Sequence, residues 1–121
     1  MTSASIPSAA SSSAAADELA ADGIDAEVID LATLKPYDEE TVLASVSKTG
    51  RCVIVHEAAR TGGFGAEIAA LIAERALLSL LAPVARVTGY DTIIPLPRLE
   101  QHYMPSVARI VTAARRACEL G

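Results

Sequence analysis

The sequence predicts an α/β fold, a three-layer α/β/α arrangement around a mostly parallel central sheet. Short runs of β-branched residues alternate along the chain with longer segments of helical period, the pattern of parallel strands joined by right-handed helical crossovers. The stretch CVIV at 52–55 is apolar without a break, as expected of a strand covered on both faces and therefore central. Apolar residues make up 51% of the 121, yet there are only one Phe, three Tyr and no Trp, so the core has to be packed from Ala, Val, Ile and Leu between layers. A chain of this length suits one domain.

The elements follow in order. Residues 1–15 are mostly Ser and Ala, with Ile6 the one large aliphatic side chain besides Met1, and can bury little. They are expected to be poorly ordered or to form a replacement edge segment, with the domain proper at 16–121. Helical order should begin within the alanines, run through ADELAAD and end at Gly23, a residue suited to the left-handed position beyond a helix. AEVIDL at 26–31 reads as a strand. The next helix takes Asp38 as N-cap and Gly50 as its stop, with Glu39 and Glu40 in the first turn and Val42, Leu43 and Val46 on its apolar face. After CVIV and the glycine loop, Phe64, Ile68, Leu71 and Ile72 recur at helical spacing and predict a helix over 64–80. VARVTG at 84–89 is a further strand. The proline-rich stretch 90–105 has no period and reads as an extended surface connection. The last helix is expected to open at Pro105, with Val107, Ile110, Val111 and Ala114 on one face and Arg115 and Arg116 in its final turns. Three strands make a thin sheet, so either SASI at 3–6 adds another or sheet material belonging to a longer parent is missing.

Composition excludes several classes of function. The formal net charge is −5, and the cations are scattered apart from the pair Arg115 and Arg116, so no footprint for nucleic acid is present. The longest apolar stretch, ALLSLLAPVA, falls well short of the roughly 20 residues a membrane helix needs. Cys52 and Cys118 lack CxxC spacing and follow no secretory segment, which points to reduced thiols in a cytosol-like compartment and to no zinc site. The first basic residue is Lys35, unlike an Arg-rich transit peptide; the expectation is a bacterial cytoplasmic protein or a trimmed fragment.

The candidate sites collect at the carboxyl end of the central strand, where open α/β sheets place ligands. His56 and Glu57 stand there, followed by the loop Arg60, Thr61, Gly62, Gly63, Phe64, Gly65. This loop leaves a strand and opens a helix, so it could hold an anion on unpaired N–H groups. Its TGGFG sequence is neither GxGxxG nor GxxxxGK[ST], and spacing favours a tight turn while leaving both readings open. Glu67 suits the first helical turn. Cys52 and His56 lie about 13 Å apart along a strand, too far for a catalytic pair. Tyr90 and Asp91 end the last strand at the same edge and could line a site or a partner surface. His102 and Tyr103, in the proline-rich connection, read as exposed interface groups.

With HEAARTGGFGAEIA preceded by EVIDLATLKPYDEETVLASVSKTGR and followed by APVARVTGYDTIIP, the chain resembles the C-terminal domain of the beta subunit of 2-oxo acid dehydrogenase decarboxylase components. These belong to the transketolase C-terminal-domain family. The resemblance spans about 16–118 and is nearest to the branched-chain (2-oxoisovalerate) enzymes of branched-chain amino acid catabolism, with the pyruvate and acetoin enzymes close by. It implies a parent that uses thiamine diphosphate and Mg to decarboxylate a 2-oxo acid and pass the acyl group to a lipoyl arm. That parent is a heterotetramer of two alpha and two beta chains, cytoplasmic in bacteria and in the mitochondrial matrix in eukaryotes. The alpha chain and the N-terminal half of the beta chain carry the cofactor machinery, so the resemblance implies no catalytic, cofactor-binding or metal residue here and no activity of this chain alone. The implied role is assembly: contact with the alpha subunit, a second beta subunit and the subunit-binding domain of the acyltransferase. The interface candidates are His56, Glu57, Arg60, Thr61, Gly62, Gly63, Phe64, Gly65, Tyr90 and Asp91.

Two local departures stand out, Ala59 where the family has Pro and GYDTIIP where it has GYDTPFP. The resemblance also implies a five-stranded mixed sheet of order 1-3-2-4-5. Here the first strand is missing and TSASI at 2–6 is the sole stand-in for the second, which belongs in the interior. An unfilled gap there would leave an open edge prone to self-association. A free-standing interaction or anion-binding module is the alternative reading.

Overall fold

The computed structural model describes residues 4–6, 9–32, 35–93 and 96–120, with the side chains of 4–6, 9–10 and 100–101 left aside. The order is β1 (Ala4–Ile6), α1 (Ala9–Ala21), β2 (Glu27–Val28), α2 (Glu39–Thr49), β3 (Cys52–Ala59), α3 (Phe64–Arg75), a 3-10 turn (Leu77–Ser79), β4 (Ala85–Gly89), a second 3-10 turn (Pro97–Leu99), α4 (Glu100–Tyr103) and α5 (Val107–Glu119).

The four strands form one sheet in the order β2-β1-β3-β4, every pair parallel. The short N-terminal strand lies in its interior. Ala4, Ser5 and Ile6 pair with Cys52, Val53 and Ile54, while Ala4 and Ser5 also pair with Glu27 and Val28. Three residues thus supply the backbone partners that β2 and β3 need; each buried group left unpaired would cost about 1–3 kcal/mol. The interior gap expected from the resemblance is filled, and the open edge it implied there does not arise. The segment is not an edge, and α1 runs unbroken across the boundary drawn at residue 16.

Alternation along β3 divides the core. Cys52 and Ile54 face α2 and α3, packing with Val42, Val46, Ile68 and Ile72. Val53 and Val55 face α1 and α5, packing with Leu19, Ile110, Val111 and Ala114. That is the three-layer arrangement, with β3 covered on both faces. Asp38 caps α2 by accepting from Thr41 N at 3.1 Å, and Gly50 ends it at φ +70°. Gly23 likewise takes φ +78° beyond α1.

Four expectations need correction. The strand at 26–31 contracts to Glu27–Val28, which pair with Ala4 and Ser5. The helix predicted over 64–80 stops at Arg75 and gives way to a 3-10 turn, so that Leu81 N can donate to Gly50 O at 2.8 Å. The connection at 90–105 carries a 3-10 turn and α4, and Tyr103 is buried rather than exposed. Finally, α5 opens after Ser106, whose hydroxyl accepts from Arg109 N at 3.2 Å, so Pro105 precedes the cap.

Candidate functional site at the carboxyl edge of the sheet

The strand β3 delivers its last residues to the carboxyl edge of the sheet, where β4 also ends. A register shift between Val55 and Ala59 loosens the pairing with β4 there. His56 lies inside that irregular stretch, half-buried.

The glycine loop closes over the His56 ring. Gly62 makes the turn at φ +72°, with open space around it. Gly63 and Gly65 have a different reason: a Cβ on Gly63 would sit 2.6 Å from His56 Cε1, and one on Gly65 2.5 Å from His56 Nε2. The room that two missing side chains leave is taken by the chain's own imidazole, together with the Ala59 carbonyl at Gly63. Both ring nitrogens are shielded from solvent, and the Ala58 backbone stands near enough to favour a proton on the ring. Burial and the nearby Arg86 charge outweigh that contact and hold the His56 pKa below its usual 6.5.

The loop is fastened to the end of β4. Thr61 N donates to Asp91 Oδ1 at 2.9 Å and the Thr61 hydroxyl to Oδ2 at 2.5 Å, which lowers the Asp91 pKa. Arg60 and Arg86 exchange donors, each guanidinium reaching the other's carbonyl, at 3.3 and 2.5 Å. Phe64 turns inward against Tyr37, edge to face at 5.3 Å between centroids. Tyr90 is 50% exposed and stacks edge to face on Tyr103, while the Arg109 guanidinium lies 4.7 Å above its ring. Gly89 permits the close approach of Tyr103, whose Cζ would be 2.6 Å from an added Cβ.

The ten candidate residues are therefore brought to one end of the sheet. Their roles differ. His56, Gly63 and Gly65 pack against one another, and Phe64 packs inward, whereas Glu57, Arg60, Thr61, Gly62, Tyr90 and Asp91 are exposed. Sequence reasoning missed Arg86 and Arg109, which hold this end together through contacts about 20 residues or more away in the chain, and read as exposed the Tyr103 ring, which is buried against Tyr90. Cys52 stays apart: it is fully buried at the other end of β3, and burial raises its pKa to about 12, leaving an unreactive thiol.

A profile of the family described as "Transketolase, C-terminal domain" matches residues 8–110. The chain belongs to that family. This transketolase C-terminal domain is 58% identical over 86 residues to the 2-oxoisovalerate dehydrogenase subunit beta 2, mitochondrial, of Arabidopsis thaliana, covering 71% of this chain and 24% of that protein. It is 52% identical over 92 residues to the 2-oxoisovalerate dehydrogenase subunit beta of Pseudomonas aeruginosa, covering 75% and 26%. It is also 50% identical over 90 residues to the pyruvate dehydrogenase E1 component subunit beta of Staphylococcus epidermidis, covering 74% and 28%. Among solved structures, a chain described as "Split gene transketolase, inactive beta4 tetramer" superposes with a TM-score of 0.82 at 31% identity, over 98% of this domain and 38% of that chain. The domain thus spans about a quarter of the length of the curated relatives it matches. The match from residue 8 takes in all of α1.

Proposed function

We propose that this domain is the assembly part of the beta subunit of a thiamine-diphosphate-dependent 2-oxo acid dehydrogenase, of the branched-chain (2-oxoisovalerate) type. The parent would decarboxylate a 2-oxo acid and transfer the acyl group to lipoyl, and this chain would contribute contacts rather than chemistry. The observation that carries the reading is the state of the glycine loop: it is filled from within by His56, while its outer face, with Tyr90 and Asp91, is exposed. A loop already occupied by its own side chain is shaped to be touched, not to hold a diphosphate. That disfavours the anion-binding alternative. Thiamine diphosphate and Mg belong, in this reading, to the rest of the parent complex.

The partners proposed are an alpha subunit, a second beta subunit and the subunit-binding domain of an acyltransferase. The compartment proposed is the bacterial cytoplasm, or the mitochondrial matrix in a eukaryote; among the described residues no helix is long and apolar enough to cross a membrane. Co-expression with an alpha subunit and an acyltransferase tests the role. Co-purification is expected, weakened by Asp91→Ala, which frees Thr61 and the loop. Turnover of 2-oxoisovalerate by the purified 121-residue chain with thiamine diphosphate and Mg, or failure to bind either partner, would defeat it. A pyruvate-type parent is the second reading, favoured by the 50% identity to the pyruvate dehydrogenase E1 beta chain.

A further inference from the structure

A second surface, which shares Arg86 and Arg109 with the carboxyl-edge site, lies along the last strand of the sheet. β4 ends the order β2-β1-β3-β4, so one of its edges has no neighbouring strand among the described residues. Beside that edge runs a groove of about 590 Å³, met by residues 84–87 on the strand side and by Arg109, Thr112, Ala113 and Arg116 of α5. Successive strand residues point to opposite faces, so a cleft that meets four in a row has to follow the edge. The α5 residues recur at three- and four-residue spacing and form one stripe, distinct from Ile110, Val111 and Ala114, which face the core.

The charge in this groove runs against that of the chain. Three arginines and no carboxylate line it, although the whole protein carries −5. Elsewhere Lys48, Arg75 and Arg115 meet carboxylates. Arg86, Arg109 and Arg116 form no such pair among the described residues, and Arg86 Nε and Arg109 Nη1 are shielded donors without a hydrogen-bond partner. A carboxylate arriving in the groove would meet guanidinium charge that no carboxylate of this chain neutralises. Arg60 and Arg109 also cover the carbonyls of Arg86 and Thr88, so guanidinium groups stand over the strand.

We infer that this groove docks a short acidic segment of a partner polypeptide, laid along β4 with carboxylates on Arg86, Arg109 and Arg116 and small apolar side chains on Ala113. A second copy of this chain is disfavoured, because two-fold pairing would bring the same arginines face to face. The two readings share Arg86 and Arg109, but the peptide titration and the co-purification read them separately, so either can fail alone.

The test uses a labelled, capped peptide of alternating glutamate and valine, with the lysine and valine peptide for comparison, titrated into the 121-residue chain by fluorescence anisotropy and amide NMR. The acidic peptide is expected to bind, to weaken as salt is added, and to move the amides of 84–87 and 112–116. Arg116→Glu should weaken it about tenfold, whereas Lys48→Glu, an equal charge change outside the groove, should not. No binding, equal binding of both peptides, equal loss in the two variants, or shifts confined to other amides would overturn the inference. So would dimerisation through the same amides without peptide.

Discussion

At Gly65 a methyl group would lie 2.5 Å from His56 Nε2 and 3.1 Å from Ile54 Cγ2, and neither neighbour is free to move far. Gly65→Ala should therefore lower stability by about 1–3 kcal/mol. Adding His56→Ala should recover part of that loss, a coupling readable in a urea double-mutant cycle. Gly62 differs in kind: nothing lies within 4 Å, and the cost of Gly62→Ala comes only from φ +72°, about 1 kcal/mol. The lowered His56 pKa also has a sign. The unfolded chain takes up this proton first, so stability is full above the usual 6.5 and declines as pH falls from there toward the folded value. Urea midpoints measured downward from about pH 8 should show that slope, and His56→Phe should flatten it. Spacing in the sequence marked these glycines as a turn or a cradle; it could not show that an imidazole four strand positions past Cys52 fills them.

At the scale of elements, β1 matters out of proportion to its length. Its three residues bridge β2 and β3, so deletion of residues 1–6 should abolish cooperative unfolding and amide dispersion rather than merely trim a tail. Intact folding of the shortened chain would show that the sheet closes without it. Helix ends behave more simply: Asp38→Ala removes the cap on Thr41 N and should cost about 1 kcal/mol in urea denaturation. Those ends were legible, since Asp38, Gly23 and Gly50 act through neighbours a few residues away. The shortened α3 and the α4 turn were not, because distant contacts accompany them, Leu81 on Gly50 O and Tyr103 against Gly89, whereas the start of α5 is set locally by the Ser106 cap on Arg109 N.

Across the whole molecule, two cores lie on opposite faces of one sheet, with Ile72 in one and Ile110 in the other. Ile72→Val and Ile110→Val should each cost about 0.5–1.5 kcal/mol and add within a few tenths in the double variant, since packed layers stand about 10 Å apart. A large coupling term in urea denaturation would mean the layers communicate through the sheet. The sequence by itself determined the layers, the parallel sheet, the family and most helix caps, because periodicity, capping and glycine placement act over short stretches of chain. Only the tertiary structure decided that residues 4–6 complete the sheet from its interior, that His56 fills the glycine loop, and that three arginines gather without carboxylates along β4. Those outcomes depend on which distant segments share the same space, and that is set by packing.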